Sequence, residues 1–488
     1  MPTSPPSSTV PPLAPRLSSA WRDFLADREL PAALVGGLGS PLNLVMPDQL
    51  VRNAEAFAAV HRWLRLRGAL YFAHKANRST ALVRRIAATG FGVDVASVGE
   101  LQHALGAGVP GARIMATGPK GEDFLWLSGA VGAVVNADSV DELERLGTLI
   151  RRHRLPPVRV MIRLSGFAPV GVAVLSRPSR FGVPVDQLDG ALESLDRYRR
   201  ELVLHGLAFH LDTTGLEEKA LAVEGCLLAM AQCQARGHAP AAIDIGGGFG
   251  VAYLDQPEQW HSYARALNDS VLGRRTPITW AGYGYGLKAE RGAVRGTLGV
   301  YPSHRDKAGP AYLEALLEHH GPRLRRPLST VLLESLVELH VEPGRALLDQ
   351  VGLTLVSVRE VRDGPDGSLL VGLDANRHDV SAEEHGVLVD PLLLPAGGVR
   401  TGQPVSAYLL GNLCLENDLI TRRAVHLPAP PRPGDLLAFA NTGGYFMDFA
   451  ATDALMQHRA ATVAVRAAGS GWRWCLDADY WPTEGEEQ

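Results

Sequence analysis

Lys75 follows the short apolar run Tyr71-Phe72-Ala73, with Gly68 behind it and Arg78-Ser79 ahead. An amine at the end of a buried strand is desolvated along its stem, which lowers its pKa and suits it to form a Schiff base. Further along, Arg163 lies in a β-branched run, and His210 follows Ala208-Phe209. Gly246-Gly247-Gly248 follow Ala242-Ile243-Asp244-Ile245, and Glu342-Pro343-Gly344-Arg345 follow another apolar run. Three glycines after a strand expose backbone N–H groups that can cradle a phosphate, to which Arg345 adds a charged fork. Glu342 can hold a pyridine nitrogen protonated, and His210 offers a flat ring to stack on a cofactor face. A protonated pyridine ring is the electron sink of pyridoxal 5′-phosphate (PLP), which stabilises a carbanion. Each feature alone has a plainer explanation, a tight turn or a solvated loop. Their joint order along the chain points to PLP chemistry.

The elements that must position these residues alternate. Apolar runs at 70–74, 91–96, 113–117, 131–135, 158–164, 205–210, 241–245 and 331–341 read as strands. Helical spacing lies between them at 79–89, 98–107, 121–129, 139–153, 186–200 and 216–236. Eight strands with intervening helices predict an α/β fold, a (β/α)8 TIM barrel over 46–345, with active residues at the strand carboxyl ends. The interval between the seventh and eighth strands is long, and an insertion is expected at about 270–325. Its alternating Gly and aromatic residues, Thr279-Trp280-Ala281-Gly282-Tyr283-Gly284-Tyr285-Gly286, suit a mobile covering loop. After Arg345 the runs become β-branched or alternating, separated by turns such as Asp363-Gly364 and Pro433-Gly434-Asp435. This predicts a C-terminal antiparallel β-barrel or sandwich from 346–482, joined by 20–45. Residues 1–18 are rich in Pro and Ser and read as a disordered tail.

The 488 residues favour two domains, and 46% hydrophobic with 20% charged residues is a globular balance. A net charge of -4 gives no basic footprint for nucleic acid. No apolar run reaches the length of a membrane span. The cysteines, Cys226, Cys233, Cys414 and Cys475, have neither metal-ligand nor redox spacing. A reduced, cytoplasmic protein is expected, with no metal.

These residues together resemble the fold-type III PLP-dependent decarboxylases, the alanine racemase-like group of ornithine/arginine-type and diaminopimelate decarboxylases. The likeness runs from about Leu42 to Val465. It includes Phe72 to Asn77, Gly92 to Leu101, Ser179-Arg180-Phe181-Gly182-Val183, Ile245 to Phe249, Glu342 to Arg345, Gly411-Asn412-Leu413-Cys414 and Gly443-Gly444-Tyr445. The resemblance implies that Lys75 forms the aldimine with the cofactor and that His210 stacks on its ring, with Glu342 at the ring nitrogen. Gly247, Gly248, Thr213, Arg345 and Tyr445 would hold the phosphate, with Asp94, Glu100 and Arg163 near the lysine and ring. It further implies a homodimer with shared sites, in which Cys414 of the neighbouring copy protonates the carbanion after CO2 leaves.

Departures from the family pattern bear on the substrate. Basic amino-acid decarboxylases carry an acidic residue directly after the cysteine; here Leu415 stands there, with Glu416 and Asp418 beyond as substrate-binding candidates. Asn376-Arg377-His378 replaces an expected Arg-Pro-x-x-Tyr pattern. The segment Asn441 to Phe449 and the stretch near 280–310 resemble a branch found in siderophore and other natural-product pathways. The expected substrate is a diamino acid or modified amino acid. A racemase on the same barrel is the alternative, disfavoured by a carboxylate at position 342. A non-catalytic homologue is disfavoured by the full set of cofactor residues.

Overall fold

A computed structural model describes residues 10–167, 179–211, 215–469 and 471–482. The chain forms two compact units, each assembled from separate stretches. One comprises Leu50–Gly250, Lys307–Leu347 and the segment from Tyr480. The other comprises the described residues up to Gln49, Val251–Asp306 and Leu348–Asp479.

The first unit is a parallel barrel of eight strands. In chain order these are Tyr71–Ala73, Gly92–Val95, Ile114–Ala116, Val134–Ala137, Val158–Ser165, Leu202–Ala208, Ala242–Asp244 and Glu338–His340. Each pairs with its successor, and a parallel bridge between Leu70 and Val341 closes the ring. Short β-branched runs, buried on both faces, suit strands covered by helices outside and side chains within. The connecting helices begin at residues built to start them. Ser79, Ser97 and Ser139 each accept an N–H three residues on, from Leu82, Glu100 and Glu142.

The stretch 331–341 departs from its expected strand. Leu328–Glu334 is a helix, and only Glu338–His340 pairs in the barrel. Leu328, Val331 and Leu332 fall on one helical face, and that spacing prevails over the β-branched content.

The second unit is built on the long strand Gly352–Asp363, antiparallel to Leu42–Val45, Leu369–Leu373 and Leu436–Ala440. Two pairs run parallel, Leu42–Val45 with Ala461–Ala468 and Leu369–Leu373 with Val405–Leu410. The helix Ser19–Ala26 covers one face, burying Trp21 and Phe24 against Leu44, Leu353 and Val463. Each such aromatic contributes about 2–3 kcal/mol by leaving water.

Two expectations about this unit are corrected. Residues 10–18 are packed rather than disordered: Val10 and Leu13 are buried, Leu13 N–H donates to Asp390, and Arg16 pairs with Asp349. Apolar anchors spaced among prolines hold this stretch despite its composition; residues 1–9 lie outside the described residues. The Gly/aromatic run, which suited a mobile loop, is instead held by contacts within its own unit. Val251–Asp306 belongs to the β-rich unit, where Trp280 N–H donates to Arg422 O and the buried Tyr285 donates to Glu383 Oε1 at 2.8 Å. Tyr285 is the anchor of the run, while Tyr283 stays exposed.

Candidate active site

The carboxyl ends of the barrel strands enclose a cavity of about 310 Å³ lined by Lys75, Thr117, Asn136, Arg163, Phe181, His210, Asp244 and Glu342, among others. Lys75 leaves the first strand on a single 3-10 turn, His74–Ala76, which tips its side chain toward the second strand. There its ammonium lies 3.4 Å from Asp94 Oδ2. Asp94 is fully buried, and its other oxygen accepts from Thr117 Oγ1 at 2.6 Å. Glu100 accepts the Ala96 N–H at 2.7 Å, fixing the turn after the second strand, and its other oxygen lies 3.5 Å from His74 Nδ1. Arg163 faces Asp138 at 3.4 Å and lies over the Phe181 ring, which blocks its far side from water.

Gly246 and Gly247 let the backbone pass close beneath His210. Gly246 has φ +64°, and a Cβ there would come within 2.5 Å of His210 Nδ1; one on Gly247 would meet Glu342 O at 3.0 Å. Gly247 N–H instead donates to His210 Nδ1 at 3.3 Å, so that nitrogen carries no proton and the ring is neutral with hydrogen on Nε2. The ring is open to the cavity, yet enclosure by the barrel wall, then the charges of Lys75, Arg163 and Lys219, holds its pKa well below the usual histidine value. The hydrogen bond and the three cations favour the same neutral form.

Glu342 and Asp244 form the floor of the cavity. Both are buried, and Glu342 Oε1 and Asp244 Oδ2 have no donor among the described residues. Burial, then the negative charges of Asp244 and Asp94, raises the Glu342 carboxyl well above the ordinary range. Burial likewise pushes Asp244 up to about 7, against the Gly246 N–H that it accepts at 2.7 Å. Neighbouring buried carboxyls keep one proton between them until a cationic N–H arrives. The protonated nitrogen of a pyridine ring is such a donor. The orphaned Glu342 oxygen and the glycine cradle therefore fit PLP.

Among the expected residues, Lys75, Asp94, Arg163, His210, Gly247, Gly248 and Glu342 lie in the barrel unit at one end of the strands. Arg345 follows the eighth strand in the same unit and is half-buried. Thr213 lies outside the described residues. Cys414, Glu416, Asp418 and Tyr445 belong to the second unit. There Cys414 and Glu416 are exposed, and Tyr445, at φ +73°, stacks on His385 with ring centres 6.0 Å apart.

Asp418 is committed to its own loop. It is buried, and its carboxylate accepts N–H groups from Arg377 at 2.9 Å and Leu413 at 2.8 Å. Asp418→Ala should cost about 2 kcal/mol of stability by stranding both donors, read as a lower denaturation midpoint. A substrate-reading role would instead change KM and leave the midpoint in place.

Sequence reasoning missed Asp244, Thr117 and Lys219. Asp244 had a signal, an acid inside an otherwise apolar strand before the glycines. One barrel layer below the site, His205, Glu338 and His340 bring donor atoms within 4.8 Å of one another. Ala69 N–H donates to His340 Nδ1 at 2.9 Å, which leaves the proton on Nε2, facing His205 Nε2 at 3.4 Å. That arrangement is a hydrogen-bonded imidazole pair rather than two open ligands.

Residues 48–279 match the family described as pyridoxal-dependent decarboxylase, pyridoxal binding domain. The chain is 34% identical over 84% of its length, and 84% of the relative's, to the uncharacterized protein y4yA of Sinorhizobium fredii. It is 24% identical to the diaminopimelate decarboxylase of Staphylococcus aureus, covering 83% of this chain and 84% of that one. Among solved structures it is similar to diaminopimelate decarboxylase from M. jannaschii in complex with L-lysine, with TM-score 0.68, 18% identity and 91% of each chain covered. It is also similar to lysine/ornithine decarboxylase from Vibrio vulnificus complexed with putrescine, with TM-score 0.64, 22% identity and coverage of 92% and 99%. The fold likeness, the matched pyridoxal-binding region and the chemistry at the barrel mouth agree: the chain belongs to the pyridoxal-dependent amino-acid decarboxylases, lyases whose cofactor is PLP.

Proposed function

We propose that this chain removes the α-carboxylate of a diamino acid or modified amino acid, with Lys75 as the residue that joins the cofactor covalently. The observation that carries the reading is the buried, donorless oxygen of Glu342. When bound, PLP supplies the ring that takes up the electron pair left by departing CO2. Glu342 receives the ring N–H and keeps that nitrogen protonated, which a racemase does not require. Asp94 would orient the Lys75 amine toward a bound cofactor. The neutral His210 ring offers a face to the cofactor without adding a competing positive charge. Gly247 and Gly248 would line the phosphate cradle, and the family resemblance adds Arg345, Thr213 and Tyr445 to it. The family resemblance supports a homodimer in which Cys414 of a second copy donates a proton to the α-carbon.

The relatives named diaminopimelate decarboxylase support an amino acid with a second polar end. The engagement of Asp418 leaves Glu416, exposed two residues after Cys414, as the acidic candidate for reading that end. Leu415 directly after Cys414 favours a distal group that is masked or enlarged rather than a bare amine.

The test is CO2 release with PLP from both enantiomers of lysine, ornithine, arginine and diaminopimelate, and from their acylated derivatives. Release from one member supports the reading. No release, with α-proton exchange in D2O, would favour the racemase. Cys414→Ala should keep the cofactor's visible absorbance and lower decarboxylation about 100-fold, or scramble the protonated product. Unchanged turnover and product would remove the thiol from the mechanism.

A further inference from the structure

A lysine beneath the glycine loop has no role in the reading above. Lys219 lies in the first turn of the helix Leu216–Ala235 and is fully buried. Its ammonium donates to the carbonyl oxygens of Gly247 and, at 3.3 Å, of Gly248. The remaining space around it is aromatic, with Phe249 4.8 Å and Tyr312 5.3 Å away, measured to the ring centres. Among the described residues it forms no ion pair with a carboxylate. This placement is costly in two ways. Burial pulls the ammonium down to about 7, and a cation in the first turn opposes the helix dipole. A buried charge held without a counter-ion points to a counter-ion that arrives with a ligand.

The loop carries that logic outward. In a trans peptide the carbonyl and N–H point in opposite directions. The carbonyls of Gly247 and Gly248 take hydrogen bonds from Lys219, so the N–H ends of the same peptide groups, those of Gly248 and Phe249, are polarised as donors. We propose that Lys219 is the internal counter-cation of the phosphate loop: from behind the glycines it strengthens the N–H groups of Gly248 and Phe249 toward the cofactor phosphate and sets the preference for a phosphorylated cofactor. This rests on the reading of Gly246 to Gly248 as the phosphate cradle. Lys219 is a positioning residue, since it acts through the loop.

The experiment compares the dissociation constants of PLP and of pyridoxal, which lacks the phosphate, for the apoprotein, followed by absorbance and fluorescence. Lys219→Met removes the charge at similar length. Lys219→Gln removes the charge and keeps a donor for the carbonyls, so it serves if the Met variant does not fold. The expected result is PLP affinity weakened roughly ten-fold or more in either variant, with pyridoxal affinity changed less than about two-fold. Equal weakening of both compounds, or an unchanged PLP to pyridoxal ratio in Lys219→Gln, would overturn the proposal. A wild-type protein with no preference for PLP over pyridoxal would fail differently, removing the phosphate-loop reading itself.

Discussion

Lys75→Ala should abolish the visible absorbance of lysine-bound cofactor and reduce CO2 release by a factor on the order of 10³. The amine lines the cavity, held 3.4 Å from the buried Asp94. Alanine leaves the glycine loop and Glu342 in place, so PLP should still bind through its phosphate, detectable by protein fluorescence. The two measurements separate covalent attachment from occupancy. A variant that kept turnover would show that the wrong amine had been assigned. Asp94 would be left buried with Thr117 as its remaining hydrogen-bond donor among the described side chains. The apo variant should therefore be less stable than the wild type, since no cation offsets that carboxylate.

Glu342→Gln should lower kcat by about 10²–10³ while leaving PLP bound, because a neutral amide cannot hold the ring nitrogen protonated. The same substitution should stabilise the empty protein. A carboxyl whose folded pKa is raised binds more protons folded than unfolded. Stability therefore falls as pH rises from the unfolded carboxylate value near 4 toward the folded value. For Asp244 that folded value is about 7, and the Asp244 charge is in turn part of what raises Glu342. Removing the charge at 342 relieves the pair, so thermal midpoints of wild type and variant should diverge as pH rises above about 4, the variant higher. Midpoints that ran parallel through that range would contradict the shared-proton arrangement. The opposed effects identify a carboxylate kept for chemistry at the expense of stability.

The barrel was legible because its strands are short apolar runs separated by capped helices. The serines at 79, 97 and 139 start helices where the pattern placed them. Lys75, His210, the glycines and Glu342 were legible because each ends a strand, and a barrel gathers strand ends. Lys219 was not, since a lysine within a helical pattern reads as a solvated face, and only the fold turns that face toward the glycine loop. Asp418 looked like a free acid because one of the two backbone donors that occupy it, Arg377, lies 41 residues earlier in sequence, beyond the reach of the local pattern around Leu413. The packing of Tyr285 was not legible, because position between two barrel strands says nothing of its partner Glu383, 98 residues on. The packing of residues 10–18 depends on partners such as Asp390, more than 370 residues away in sequence.

The closing bridge from Leu70 to Val341 also sets an order of events during synthesis. The seventh strand, Ala242–Asp244, and the first, Tyr71–Ala73, each lack a neighbour until Glu338–His340 has been made. Between the seventh and eighth strands the ribosome must deliver Val251–Asp306, whose partners lie in stretches such as Leu348–Asp479 that are translated later still. At 5–20 residues per second, two parallel strand edges remain open for roughly 5–20 s. Unpaired edges of this kind template association with other chains. The nascent chain is thus most prone to aggregate between the seventh and eighth strands, and slower translation there would lengthen its exposure.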